Sequence, residues 1–161
     1  MEWTELVGEF LLPCLWAFGA CLAFSVIFNI HGTGMLICGA GGALGWLVYL
    51  LCSGPLKLED MMAALLAGVS ISAWSEAMAR LRKCPVTGYL LVAFFPLVPG
   101  GGIYYAMEFA IAGQTRNFGN TLMHTVEFAG ALALGVLLVS SAVRMRRTVA
   151  ERRRARRYGA V

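Results

Sequence analysis

Five long apolar runs, separated by short polar connectors, set the first limit on what this chain can become. They cover about Glu9–Ile30, Met35–Ser53, Met61–Met78, Val86–Ala112 and Leu122–Val143. A helix rises 1.5 Å per residue, so roughly 20 residues cross ~30 Å of hydrocarbon. Each run is close to that length. Membrane barrel strands instead alternate polar and apolar residues over about ten positions, and none of the five runs does. The connectors are His31–Gly34, Gly54–Asp60, Arg80–Pro85 and Gly113–Thr121, too short for any water-soluble domain. The expected fold is all-α: a polytopic membrane helix bundle with five transmembrane helices, the fourth broken. It occupies residues 1–143 and is followed by a basic tail over 144–161.

Composition agrees. Hydrophobic residues make up 59% and charged residues 14%, against about 45–50% and about 25% in soluble domains. A ~150-residue domain leaves about 30% of its unfolded surface exposed, so one core cannot hide this excess. A soluble enzyme, a disordered chain and a disulfide-rich module are thereby excluded. The five cysteines, Cys14, Cys21, Cys38, Cys52 and Cys84, form no CxxC pair and read as reduced thiols used as small hydrophobes. The first run is preceded by Glu2 and Glu5 and no basic residue. That is the wrong sign for a cleavable leader, so the run is expected to stay in the mature protein.

Cations fix the orientation. With five spans, Arg80, Arg82, Lys83 and the eight arginines between Arg144 and Arg157 share one side, and Lys57 and Arg116 share the other. Eleven against two places the C-terminus in the cytoplasm and the N-terminus outside the cell membrane. The basic tail leaves a span directly and lacks aromatic interleaving apart from Tyr158. It reads as a contact with anionic membrane lipid, not with nucleic acid.

Helices in lipid associate where small residues let their backbones approach. The second run has Gly41 and Gly45 four apart, the third aligns Ala64, Gly68, Ser72 and Glu76, and the fifth aligns Glu127, Ala131 and Gly135. These stripes are expected to face other helices. Glu76, Glu108 and Glu127 lie inside apolar runs, where a carboxylate costs at least ~2.5 kcal/mol; Glu9 reads as interfacial. Two readings stand for Glu76: a polar pathway, or an ion pair with Arg80 one turn away. Glu108 and Glu127 read as candidate contacts for a proton, a cation or a substrate ammonium. His31 and His124 read as structural hydrogen-bonding residues, since the His124–Glu127 pair supplies too few ligands for a metal. No metal or cofactor is expected, and neither a catalytic constellation nor a phosphate loop is present.

The fourth run carries the most informative motif, Phe94-Phe95-Pro96-Leu97-Val98-Pro99-Gly100-Gly101-Gly102-Ile103-Tyr104. Two prolines and three glycines break a helix. In hydrocarbon, unwound backbone is tolerated only when buried in protein or lining a wet cavity. In transporters, breaks of this kind hold substrates, with half-helix N-termini turned towards anionic groups. A half-helix starting near Gly102 would offer its N–H groups to a carboxylate, while Glu108 or Glu127 would meet an ammonium. A bulky β-branched residue at Gly100 or Gly101 is expected to block the close approach.

The Pro-x-x-Pro-Gly stretch with the tyrosine and Ala-Met that follow resembles the small membrane subunit of the threonine/serine exporter family. The Phe28-Asn29 end of the first run, the glycine-rich second run and Gly68…Trp74-Ser75 support the resemblance, which covers about residues 8–143. The matching positions are Pro96, Pro99, Gly100 and Tyr104. The resemblance implies a transporter of small hydrophilic metabolites that works with a larger subunit of the same family, as a homo- or hetero-oligomer. Substrates implied are threonine/serine-type amino acids or, alternatively, C4-dicarboxylates such as succinate; a scaffold that does not transport is a further reading. The glycine triplet and Glu127 are not among the features that carry the resemblance, and a buried anion at Glu127 would repel a dicarboxylate.

The orientation is directly testable. A reporter fused after Val161 is expected to be active only in its cytoplasmic form; periplasmic activity would reverse the topology.

Overall fold

The computed structural model describes residues 7–158, with the side chains of residues 7, 147 and 150–158 excepted. The N-terminal flank with Glu2 and Glu5, and the side chains of most of the basic tail, therefore lie outside the described residues. A π-helical turn, Val7–Leu11, leads into α1 (Leu12–Ile27). Then follow α2 (Thr33–Ser53), α3 (Asp60–Arg82), α4 (Val86–Phe94), a 3-10 turn (Phe95–Leu97), α5 (Gly100–Ile111) and α6 (Thr115–Tyr158). Four helices are long and apolar enough to span a membrane: Gly8–Ile27, Thr33–Ser53, Asp60–Arg82 and Thr115–Arg146. The pair Val86–Leu97 and Gly100–Ile111 qualifies together, bent by 51° at the break.

Local chemistry explains the element ends. Gly32, at φ +63°, precedes α2; Lys83 takes the left-handed conformation that closes α3. Gly113, at φ +71°, stops α5. The side chain of Asn117 then donates to the Gln114 Oε1 at 2.8 Å, and the Phe118 N–H donates to the Gln114 carbonyl at 3.0 Å. With its first turn anchored in this way, α6 begins at Thr115. The polar connector expected over Gly113–Thr121 is thus mostly helix.

Packing is closest where glycines replace side chains. The helices α3 and α6 run side by side. A Cβ on Gly68 would lie 2.8 Å from the Leu132 carbonyl oxygen, and one on Gly135 would lie 2.7 Å from that of Leu65. At both points backbone meets backbone. Beside this seam sits a core of Ala64, Ala67, Ile71, Ala93, Leu97, Ala131 and Leu132. Gly45 of α2 receives the Ile71 side chain, and Gly42 receives the Cys21 sulfur. Polar bonds cross between helices as well. The Trp74 indole donates to the Ile37 carbonyl at 3.0 Å, the Cys21 thiol to the Val92 carbonyl at 3.3 Å, and Arg82 to the Thr33 hydroxyl.

One part leaves this body. His124 faces Asp60, the first residue of α3, so residues 115–123 continue past the start of α3 for about 14 Å at 1.5 Å per residue. Gly102 abuts Thr125, and α5 packs chiefly along α6. Together they form a helical arm whose Ile103, Tyr104, Tyr105, Met107 and Ile111 are exposed.

The seam sets the stability. Gly135→Leu forces a side chain into backbone and is expected to destabilise the protein by about 3 kcal/mol, the upper end for overpacking. Gly130→Ala, with nothing within 4 Å of its added Cβ, should not destabilise it and should add up to about 1 kcal/mol through helix propensity. Denaturant unfolding in detergent micelles checks both.

Candidate functional site

The break is built by missing donors. Pro96 and Pro99 have no N–H, so the α4 ladder cannot run through them. The chain tightens instead: the Val98 N–H donates to the Phe95 carbonyl at 3.3 Å and the Gly100 N–H to the Val98 carbonyl at 2.7 Å. The Phe95 ring stacks on Phe24 of α1 at 3.7 Å, which clamps the turn from the far side. From Gly100 the helix restarts, and Ile103 donates back to Pro99 at 3.3 Å. In this first turn the N–H groups of Gly101 and Gly102 have no intrahelical acceptor, and they form the positive end of α5.

Beside this end lies a cavity of about 240 Å³. Its walls are Trp46 and Tyr49 of α2, residues 96–99 of the break, Gly102 of α5, and His124, Thr125 and Phe128 of α6. It is smaller than the ~300–1,000 Å³ typical of drug-sized ligands, which suits a small metabolite. Among the described residues the buried Trp46 indole nitrogen has no hydrogen-bond partner, and an unmet buried donor costs about 1–3 kcal/mol. Asp60 does not line the cavity but touches two of its wall residues. The Tyr49 hydroxyl lies 3.4 Å from Asp60 Oδ1, and His124 Nε2 lies 3.5 Å from Asp60 Oδ2. The His124 and Asp60 side chains are both more than half exposed, at 61% and 51%.

The motif residues divide. Pro96, Pro99 and Gly102 line the cavity. Gly100 and Gly101 are next to it on open backbone, with nothing within 4 Å of an added Cβ. The close approach falls at Gly102, which meets the Thr125 side chain. Tyr104 is 67% exposed on the outer face of the arm, and Glu108 and Glu127 are exposed there too. None of these three lines the cavity. Glu127 shares a stripe with buried Ala131 and Gly135 but sits on its exposed end. Glu76 takes the ion-pair reading, 3.6 Å from Arg80. Trp46, Tyr49, Asp60, Thr125 and Phe128 are absent from the motif-based reading. One signal for the Tyr49–Asp60 pair was available: only residues 54–59 separate α2 from α3, so the helix ends carrying them must face each other.

Residues 13–142 match the family model described as Threonine/Serine exporter, ThrE. The chain belongs to the threonine/serine exporter family. No curated protein and no solved structure matches it. Family and fold together make this exporter-family chain a multi-pass membrane protein of a transporter class, with the break inside the matched region.

Because the Asp60–His124 pair is exposed, it adds little to folding. Asp60→Asn is expected to change the exporter's stability by less than about 1 kcal/mol, as for other exposed pairs. Thermal melting of variant and parent checks this, and it separates a functional loss at Asp60 from misfolding.

Proposed function

We propose that this chain is the membrane subunit of a secondary exporter for threonine/serine-type amino acids, acting with a larger partner subunit in the cytoplasmic membrane. The observation that carries the reading is the cavity at the break, with the first turn of α5 on one wall and Asp60 held just behind two other wall residues, Tyr49 and His124. The substrate carboxylate meets the first-turn N–H groups of Gly101 and Gly102. The substrate ammonium meets Asp60, with Tyr49 and His124 steadying that carboxylate. Asp60 takes the role that the motif alone gave to Glu108 or Glu127. A zwitterion suits this pair of contacts, whereas the second carboxylate of a C4-dicarboxylate would meet Asp60 unfavourably.

The partner follows from the arm. Glu108 and Glu127 are exposed among apolar residues, and among the described residues neither makes an ion pair. A carboxylate turned towards lipid is costly, more so the deeper it lies. A second subunit laid along α5 and the start of α6 would cover both. The cation asymmetry supports an outward N-terminus and a cytoplasmic C-terminus, so that the cavity opens on the outer side, where an exporter releases its substrate.

Flux of labelled threonine from proteoliposomes holding both subunits tests the reading. Asp60→Asn removes a charge-assisted contact of about 1.5–3 kcal/mol and is expected to lower flux about tenfold or more, while Gly100→Ala leaves it unchanged. Full flux with Asp60→Asn would move the site out of this cavity.

A further inference from the structure

The end of the molecule away from the cavity carries a second recess. Between α3, α4 and α6 a crevice of about 560 Å³ is lined by Arg80, Lys83, Thr87, Ser140 and Arg144, with Glu76 on one wall. An adjoining groove of about 300 Å³ shares Glu76, Arg80 and Val143 with it and adds Arg146. Four cations therefore surround the two recesses against one carboxylate, and that carboxylate is engaged with Arg80 at 3.6 Å. The start of α4 points the same way. Pro85 is its cap and, with Val86 and Thr87, lines the crevice, so first-turn N–H groups without intrahelical acceptors add to the positive field. Away from the cations the groove turns apolar, along Ala73, Ala77, Val139 and Ala142. These residues lie on the membrane-spanning parts of α3 and α6.

A phosphate at the charged end and an acyl chain along the apolar wall is the ligand that such a recess fits. We propose that this crevice binds an anionic phospholipid, its phosphate held by Arg80, Lys83 and Arg144 and one chain lying between α3 and α6. Basic pockets between helices at a membrane face are suited to such headgroups. The site is independent of the transport cavity; it uses the first residues of the basic tail, Arg144 and Arg146, and not the arginines from Arg152 onward. It ties α4, which carries the break, to α3 and α6 at the opposite end from the cavity.

Native mass spectrometry of the purified full chain in detergent tests this with added phosphatidylglycerol, phosphatidylcholine or inorganic phosphate. The expected result is retention of phosphatidylglycerol at least about twentyfold above phosphatidylcholine, with inorganic phosphate failing to displace it. Lys83→Gln with Arg144→Gln should weaken phosphatidylglycerol retention about 25-fold, near fivefold for each cation lost. The charge-keeping Arg144→Lys should retain it, as should a tail variant with Arg152, Arg153, Arg154, Arg156 and Arg157 changed to glutamine. Equal retention of the two lipids, displacement by inorganic phosphate, or loss in the tail variant but not in the crevice variant would overturn the proposal.

Discussion

Backbone contact between α3 and α6 is the constraint on which the rest of the arrangement depends. In lipid, apolar side chains gain little by meeting one another, so helices hold together where small residues bring main chains within reach. Gly68 against Leu132 and Gly135 against Leu65 do this at two levels of one seam. With that seam closed, Ile71 and Leu97 fill the space left by Gly45 on α2, and α4 is drawn against α2 and α3. The same seam fixes the register that brings His124 opposite Asp60. A shift of α6 by one turn would separate the two and remove one wall of the cavity.

The break is the second consequence of the membrane. Two prolines deprive the fourth span of ladder donors, and hydrocarbon gives no water to replace them. The turn survives because Phe24 stacks behind it and because the cavity lies in front, so its free polar groups face neither lipid nor a packed core. The first turn of α5 then borders one small volume, with Asp60 beside two of the residues that wall it. The family places the chain among transporters, and this volume at the break is the one proposed to hold the substrate.

Much of this was legible in the amino-acid order. Hydropathy and length alone mark the spans, because ~30 Å of hydrocarbon allows few alternatives. Gly68 and Gly135 stand on small-residue stripes, and at these positions both stripes pack against the facing helix as expected, while Glu127 at the end of the second is exposed. The motif Pro96–Gly102 marks the break for a covalent reason, the absent N–H. The sides of the helix arm were harder to read. Glu108 and Glu127 sit inside apolar runs, which implies a buried role, yet one-dimensional spacing does not say that α5 packs chiefly along α6 and leaves its other face uncovered. Asp60 was hidden by its place at the edge of a connector. Its importance comes from a long-range meeting with His124, 64 positions away in the chain, and only the register of α3 against α6 produces it. The start of α6 was misplaced for a local reason: residues 115–121 are polar, but Gln114 anchors their first turn and lets the helix extend past the spans.

On this proposal the substrate binds at the break, between the first turn of α5 and Asp60. Photolabelling with a diazirine-bearing threonine analogue tests it most directly, using the reconstituted complex of both subunits and mapping the modified peptides by mass spectrometry. The account predicts labels on Tyr49, on residues 96–102 or on His124, and their loss when excess threonine competes. Competable labels confined to the outer face of the arm or to the larger subunit, with none around the break, would contradict it.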